Sequence, residues 1–325
     1  RGYNFVYHFI TRDEEVDFTI PKSVVDHSVC GIIVINIYNN SAISALANAG
    51  IPTVFYDITP QKYREGINAD VVLLEGKRTI RQITASIIRR GRRQLGFIGD
   101  ITYAKTVADR YRGFELACAE NGAVIEPRFC MTASRRGHFY FLDEVREFIG
   151  SLTDFPEGFV CANDVIAFTV ISCLNERGLS VPRDVAVSGY DNIKASILTA
   201  SELTTASVET ADLGKRLAQQ LLRQLESPNE CHEVVLIQPK VIKLSPGSRR
   251  CRGMLFCREG LAFEVNFVAV NGLALHDGAV YFIALDIGAL GDAALDCVAC
   301  DRSAVQDVSL HAVAGEIAQD AADIA

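Results

Sequence analysis

The stretch Phe159–Phe168, FVCANDVIAF, contains the junction between a predicted strand and a predicted helix. An apolar run ends at Ala162, two polar residues follow at Asn163 and Asp164, and apolar residues then recur with helical spacing from Val165. Two explanations account for the polar pair. Asn and Asp cap helices by accepting hydrogen bonds from free N–H groups of the first turn. They also bind ligands beyond the carboxyl ends of parallel strands.

The composition of the chain indicates a globular protein. Of 325 residues, 49% are hydrophobic and 22% are charged, and this length is enough for two or three domains. The net charge of −8 argues against nucleic-acid binding by the chain itself, because such domains carry a basic patch. No apolar run reaches the roughly 18 residues of a membrane-spanning helix, and the first residues lack the features of a secretory signal. The ten Cys lie mostly in apolar runs, which is typical of reduced, buried thiols in a cytoplasmic protein. We therefore expect a cytoplasmic protein, and the lack of a long apolar run predicts no membrane association.

Short apolar runs alternate with helical patterns through residues 1–248, which predicts βαβ units and an α/β fold with parallel sheets. The predicted strands are Asn4–Phe9, Gly31–Ile35, Thr53–Tyr56, Gln94–Ile98, Gly158–Cys161 and Val185–Gly189. The predicted helices are Ser41–Ala49, Lys77–Arg90, Ala108–Asn121, Leu142–Leu152, Val165–Arg177 and Ala211–Leu225. Gly residues at 50, 91, 122 and 178 follow helical runs, as expected of glycines that end helices.

The composition changes after residue 248, because residues 249–325 contain no Lys, Pro or Thr. We expect an unrelated or poorly ordered extension there. The segments FEVNFVAV and AVYFIALDI have the character of strands, and AVAGEIAQDAADIA that of a weak helix. Cys residues at 251, 257, 297 and 300 leave a zinc site open as an alternative, but the first pair lacks the usual short spacing. The sequence therefore predicts no metal site.

Polar residues follow four predicted strands. They are Asp57, Asp100, the pair Asn163–Asp164 and the pair Asp191–Asn192. Each alone is explained as a cap or turn residue. Because the carboxyl ends of parallel strands share one edge of a sheet, the four together predict a common binding crevice.

Arg110 lies near the start of a predicted helix, four residues after Thr106. A basic residue at this end opposes the helix dipole, which favours acidic residues there. One explanation is a surface ion pair with Asp109 or Glu115. The other is a guanidinium directed at ligand oxygens, since its five donors suit hydroxyls and carboxylates. The neighbouring Arg residues of RRGRR, at 89–93, have the pattern of a solvated face.

Several motifs together resemble the LacI/GalR family of bacterial transcription regulators. They are RGFELACAENG, FVCANDVIAFTVISCLNERGLSVPRDVAVSGYDN, ELTTASVETADLGKRLAQQLL and IQPKVIKLSPGS, preceded in the expected order by RGYNF, VCGIIVI and IPTVFYDI. The resemblance covers residues 1–248. It implies a periplasmic-binding-protein-like core of type I, with two Rossmann-like α/β lobes joined by three crossovers and an effector bound between them.

The resemblance divides the chain into an incomplete N-terminal lobe, residues 1–74 and 206–237, and a C-terminal lobe, residues 75–205 and 238–248. The family's effector contacts fall on Arg110, Asn163 and Asp191, with weaker matches at Asp57 and Thr106. Many sugar-binding members carry an aromatic residue where this chain has Thr132. Phe139 or Tyr140 is the alternative candidate for an aromatic that stacks on the ligand. Asn163 is expected to face the cleft and Asp164 to cap the helix.

The chain also departs from the family pattern. The DNA-binding domain, the hinge helix and the first strand are absent, which predicts an N-terminally truncated chain. Cys30 stands where an Asp is usual, and no Pro precedes Leu203; Ser201 lies two residues before it. The absence of an aromatic at Thr132 weakens a sugar assignment, because sugar rings commonly lie against an aromatic plane.

The resemblance implies the effector-sensing and dimerisation core of a transcription regulator. The small-molecule effector is expected to be a sugar or related metabolite. Operator DNA would be bound only through the missing N-terminal domain of a homodimer. The alternative is a solute-binding protein of an uptake system with the same fold. No G-x-S-x-G, P-loop or G-x-G-x-x-G motif is present, and the scattered His residues have no paired nucleophile, so we predict neither enzyme activity nor a cofactor.

Overall fold

The computed structural model describes residues 3–135, 142–193, 203–207, 209–242 and 280–286. Several sequence-based predictions lie outside the described residues. These are the alternatives at Phe139 and Tyr140, the position of Ser201, the Cys residues after 250, the strand FEVNFVAV and the terminal helix.

The described residues form strands and helices that alternate along most of the chain. The strands are β1 Asn4–Ile10, β2 Val29–Ile35, β3 Thr53–Tyr56, β4 Asp70–Leu74, β5 Gln94–Ile98, β6 Val124–Ile125, β7 Gly158–Cys161, β8 Ala186–Ser188, β9 Thr205–Ser207, β10 Val234–Ile237, β11 Lys240–Ile242 and β12 Val280–Asp286. The helices are α1 Arg12–Val16, α2 Lys22–Val25, α3 Asn40–Ala47, α4 Pro60–Glu65, α5 Lys77–Arg89, α6 Lys105–Asn121, α7 Leu142–Ser151, α8 Asp164–Glu176 and α9 Thr210–Glu226. A 3₁₀ turn spans Pro127–Phe129.

The strands form two larger sheets and one small one. The first sheet has the order β1-β12-β2-β3-β4-β10, the second β6-β5-β7-β8, and β9 pairs with β11. All pairings in the second sheet are parallel, as are those joining β2, β3, β4 and β10 in the first. The prediction of an α/β fold with two parallel sheets is confirmed. The division into two lobes at the predicted boundaries stays a prediction.

Within the first sheet, strand β12 departs from the parallel arrangement, and the small pair of β9 and β11 is antiparallel as well. Strand β12 lies between β1 and β2 and is antiparallel to both. It falls within the segment AVYFIALDI, so the strand character of that segment is confirmed. No local pattern indicates its pairing partners, because the pairing joins segments far apart in the chain.

Apolar side chains from both larger sheets share one core. Val54 and Leu74 of the first sheet belong to the same buried cluster as Phe97 and Phe159 of the second. The apolar strand VCGIIVI of β2 is buried on both faces, as expected for a strand covered by helices on both sides. The strand ends of the two sheets are thereby held near one another.

Most predicted elements agree with the structure within a few residues. Strand β4, Asp70–Leu74, was missed. Helix α6 begins at Lys105, three residues before its predicted start, because it begins after Ala104 without a side-chain cap that the sequence could reveal. Gly122 ends α6 with a left-handed backbone, φ 63°, and its N–H donates to the carbonyl of Cys118, as the glycine pattern predicts.

Among the described residues, no helix combines the length and apolar character needed to cross a membrane.

Candidate functional site

Polar residues at the carboxyl ends of β2, β3 and β8 have unusual backbone geometry. Positive φ angles occur at Asn36 (60°), Asp57 (61°), Asp191 (105°) and Asn192 (54°). Residues other than Gly rarely adopt this region, and such conformations concentrate at ligand sites, where the surrounding structure holds them. The strand ends of both larger sheets therefore carry the backbone signature of a binding site.

Arg110 lies at the centre of this region on α6 and is 5% exposed. Its Nη1 donates to the carbonyl oxygen of Ala162 at 2.7 Å, and its Nη2 lies 3.7 Å from Oδ1 of Asp191. The guanidinium carbon lies 3.6 Å from the ring centroid of Tyr190. Nε is buried and has no hydrogen-bond partner. The surface ion pair considered for Arg110 is wrong, since Asp109 pairs with Lys105 and Glu115 with Arg112.

The position of Arg110 depends on a glycine in the connection between β4 and α5. A Cβ added at Gly76 would lie 2.7 Å from Cγ of Arg110 and 3.0 Å from the carbonyl oxygen of Thr106. The hydroxyl of Tyr190 donates to the neighbouring carbonyl of Glu75 at 2.9 Å. The same connection therefore contacts both Arg110 and the ring beneath its guanidinium.

Asp57 and Thr106 form a direct link between the strand ends of the two sheets. The buried Asp57 carboxylate accepts hydrogen bonds from the Thr106 hydroxyl, from the Thr106 N–H at 3.3 Å and from the Ile58 N–H at 2.9 Å. Burial raises the pKa of Asp57 to about 6, although the hydrogen bond from the Thr106 hydroxyl opposes this rise.

A tyrosine pair spans the same region. Tyr38, after β2, packs edge-to-face against Tyr103, after β5, with 4.9 Å between ring centroids. Burial raises the pKa of Tyr38 well above its usual value, and the nearby Asp57 carboxylate adds to this effect. The backbone N–H of Lys105 also donates to the carbonyl of Ile58 at 2.8 Å. Aromatic packing and hydrogen bonds therefore both join the strand ends of the two sheets.

Asp191 follows β8 and is buried beside Arg110. Burial raises the pKa of Asp191 to about 7, and the guanidinium of Arg110 opposes the rise. Its N–H donates to the carbonyl of Ala206 at 2.9 Å, which ties the strand end to β9.

Asn163, and not Asp164, caps helix α8. Asn163 is the N-cap of α8: its backbone is extended and its Oδ1 accepts from the Ile166 N–H at 2.9 Å. The prediction that Asp164 caps the helix is wrong, because Asp164 is the first helical residue. Its buried carboxylate instead accepts from the Thr205 hydroxyl at 2.7 Å and the Ile193 N–H at 2.9 Å. Asn163 itself is partly exposed beside these groups.

The structure thus brings four of the six predicted site residues into one contact region, namely Asp57, Thr106, Arg110 and Asp191. Thr132 lies on a neighbouring loop, where its carbonyl accepts from the Ile101 N–H at 3.0 Å. Among the described residues, no hydrogen bond joins Thr132 or Asn163 to Arg110.

Three aromatic residues in this region, Tyr38, Tyr103 and Tyr190, were not among the predicted site residues. Their signal in the sequence is position, because each comes within a few residues of the end of a strand. Tyr190 directly precedes Asp191 in the motif GYDN.

Within the described part of the chain, no group of three or more His, Cys, Asp and Glu side chains is arranged to hold a metal ion.

Comparison with known proteins places this arrangement in a family. Residues 84–244 match the family model of the periplasmic binding protein-like domain. The HTH-type transcriptional repressor PurR of Pasteurella multocida is 31% identical over 233 residues, which cover 70% of this chain and 67% of that protein. The ribose operon repressor of Haemophilus influenzae is 26% identical over 178 residues, covering 54% of this chain and 52% of that protein.

A solved structure supports the fold. A LacI family transcriptional regulator from Enterococcus faecium, crystallised with bound ribose, superposes with a TM-score of 0.58 at 20% identity, covering 70% of this chain and 83% of that one. At this identity the likeness concerns the fold alone. The similarity to the repressor sequences extends over two thirds of a relative's length, and on that ground the chain belongs to the LacI/GalR family of transcription regulators.

Proposed function

We propose that the chain senses a small effector, a sugar or related polyhydroxylated metabolite, which binds between the two larger sheets and controls DNA binding by a helix-turn-helix domain of the whole protein. The proposed contacts are Arg110, Asp191, Asp57, Thr106 and Asn163, with Thr132 at the margin. The core itself would act as a homodimer in the cytoplasm.

The observation that carries this proposal is the unused hydrogen-bonding capacity of Arg110. A buried guanidinium is costly unless its donors are satisfied. Here Nε has no partner, and the 3.7 Å separation between Nη2 and Asp191 is too long for a hydrogen bond. A ligand with oxygen acceptors would supply the missing partners.

The chemistry around Arg110 favours hydroxyl groups on the ligand. Hydroxyls both donate and accept, so one ligand can satisfy the guanidinium donors of Arg110 and the carboxylate acceptors of Asp57 and Asp191. Tyr38 and Tyr103 add aromatic surface next to them. The names of the ribose operon repressor and of the ribose complex support the same ligand class.

Control of DNA binding follows from a shift in population. A ligand that contacts groups on both sheets binds the closed arrangement better than an open one, and this difference in affinity is what moves the equilibrium. In the whole protein, closure would change how two helix-turn-helix domains meet the two halves of an operator. The matched relatives are repressors, which does not favour the alternative of an uptake protein.

A thermal-shift screen tests the proposal. The 325-residue chain is heated with D-ribose, other pentoses, hexoses, sugar phosphates, nucleobases and small acids. A ligand at 100 times its dissociation constant adds about 2.7 kcal/mol to the unfolding free energy. We expect a sugar to raise the melting temperature of the wild type and of Arg112→Ala, and to raise that of Arg110→Ala and Asp191→Ala by much less at the same concentration. A ligand that stabilises Arg110→Ala as strongly as the wild type would contradict the proposed site.

A further inference from the structure

The loop Gly189–Ile193, which follows β8 and carries Asp191, is held by the side chain of Asp164, at the start of α8 after the neighbouring strand β7. Oδ2 of Asp164 accepts the Ile193 N–H, and Oδ1 accepts the Thr205 hydroxyl. That hydroxyl oxygen in turn accepts the Asn192 N–H at 3.3 Å. The Ile193 N–H therefore donates directly to the Asp164 carboxylate. The Asn192 N–H is linked to the same carboxylate through the Thr205 hydroxyl.

The close approach of this carboxylate requires glycine in the loop. A Cβ added at Gly189 would lie 2.1 Å from Oδ1 of Asp164 and 3.1 Å from its Cα. Real Cβ atoms do not come this near to other atoms, so any larger residue would push the loop and α8 apart. The N–H of Asp164 also donates to the carbonyl of Tyr190 at 2.8 Å, which adds a backbone contact to the same loop.

The loop needs such support because its backbone is unfavourable. Asp191 and Asn192 have φ angles of 105° and 54°. Conformations of this kind cost of order 1–3 kcal/mol each and persist only where the surroundings impose them. Hydrogen bonds to a charged acceptor are stronger than neutral ones, and the two oxygens of Asp164 accept one bond from the loop, at Ile193, and one from the Thr205 hydroxyl of β9.

We propose that Asp164 is a positioning residue, which fixes the strained Gly189–Ile193 loop so that the Asp191 carboxylate meets the ligand beside Arg110. This inference rests on the proposed function for its ligand. Asp164 does not touch the ligand and acts through Asp191. The two residues of the polar pair therefore have different roles: Asn163 caps α8, and Asp164 fixes the conformation of the loop after the adjacent strand.

Two variants probe this role in the full chain. Asp164→Asn keeps the shape of the side chain but turns one acceptor oxygen into a donor that faces another donor. Thr205→Val removes only the hydroxyl between Asp164 and the Asn192 N–H. The control is Glu157→Gln, at the opposite end of the second sheet, because Glu157 also accepts backbone N–H groups there, from Arg93 and from Gln94 at 3.1 Å.

Hydrogen exchange measures the loop without any ligand. We expect amide exchange at residues 191–193 to become at least about tenfold faster in Asp164→Asn and in Thr205→Val, with no change in Glu157→Gln. Unchanged exchange at these amides in Asp164→Asn would overturn the inference, whatever the ligand proves to be.

D-ribose titrations measure the consequence for binding. Asp164→Asn is expected to weaken D-ribose binding about tenfold in the wild-type background. In the Asp191→Ala background, Asp164→Asn is expected to leave the D-ribose affinity unchanged, because a residue that acts through Asp191 has no effect once Asp191 is removed. Equal losses in both backgrounds would mean that Asp164 acts independently of Asp191. If D-ribose does not bind the wild type, the sugar found in the thermal-shift screen is titrated in its place, and the exchange rates decide the role of Asp164 without any ligand.

Discussion

Asp57 accepts hydrogen bonds from both the backbone N–H and the hydroxyl of Thr106, so one carboxylate at the end of β3 bonds twice to the first turn of α6. Asp57 follows strand β3 of the first sheet and Thr106 follows strand β5 of the second, and both side chains are buried. In the proposed function a ligand enters beside this link, next to Arg110. The strength of the link then influences how readily the two sheets separate.

Loss of the Thr106 hydroxyl is predicted to destabilise the chain. Thr106→Val keeps the shape of the side chain but leaves the buried Asp57 carboxylate with one fewer donor, which costs about 1–3 kcal/mol of unfolding free energy. Urea denaturation measures this cost. The control is Thr169→Val, whose hydroxyl bonds only within its own helix, to the carbonyl of Val165 at 3.1 Å. Equal stability of Thr106→Val and wild type would show that the link adds nothing to the fold.

Stability is predicted to fall as pH rises from about 4 to about 7. Burial raises the pKa of Asp57 and of Asp164 to about 6 and that of Asp191 to about 7, whereas the unfolded value is about 3.9. Within this window the folded chain holds protons that the unfolded chain has lost. The stabilisation from each group is complete below its unfolded pKa and is lost as pH rises through its folded pKa, by up to about 1.4 kcal/mol per pH unit.

Asp191→Asn isolates one of these titrations. Urea denaturation of wild type and variant at pH 4.5, 5.5, 6.5 and 7.5 gives the two slopes, and their difference reports the titration of Asp191 together with its coupling to Asp164. We expect the slope of unfolding free energy against pH to be less negative in the variant. Identical slopes would mean that Asp191 titrates at an ordinary pKa in the folded chain.

Gly76→Ala is predicted to displace Arg110. The added Cβ would lie 2.7 Å from Cγ of Arg110 and 3.0 Å from a backbone oxygen that cannot easily move. We expect a loss of about 1–3 kcal/mol in unfolding free energy, as for other overpacked sites, together with weaker ligand binding. The matched control is Gly150→Ala in α7, where a Cβ meets nothing within 4 Å and the change should stabilise the helix slightly. Similar effects of the two substitutions would contradict this account.

The sequence predicted most of the fold because local signals agreed with the tertiary structure. Periodic apolar residues and terminal glycines located α5, α8 and the strands β3, β5 and β7 with little error. Strand β4 was missed because DVVLL continues almost directly into α5, with only Glu75 and Gly76 between them. The position of β12 depends on pairing with distant strands, which no local pattern encodes.

The site was predictable in part. Polar residues after strands pointed to Asp57 and Asp191, because parallel strands bring their carboxyl ends together. Arg110 was singled out because a basic residue near the start of a helix opposes the helix dipole. The cap of α8 was assigned to Asp164 instead of Asn163, since both residue types cap helices and only the backbone shows which one precedes the first turn. The stacking of Tyr190 beneath Arg110 depends on side-chain packing that sequence spacing does not reveal.

The central claim is that Arg110 binds the ligand, and isothermal titration of arginine-to-lysine variants tests it most directly. The ligand from the thermal-shift screen is titrated into wild type, Arg110→Lys and Arg112→Lys. Lysine keeps the positive charge but lacks the planar fork of five donors. Arg112 lies two residues away on the same helix, is exposed and pairs with Glu115, so its substitution controls for charge and helix content. The account predicts at least about tenfold weaker binding in Arg110→Lys and wild-type affinity in Arg112→Lys. Wild-type affinity in Arg110→Lys would contradict it.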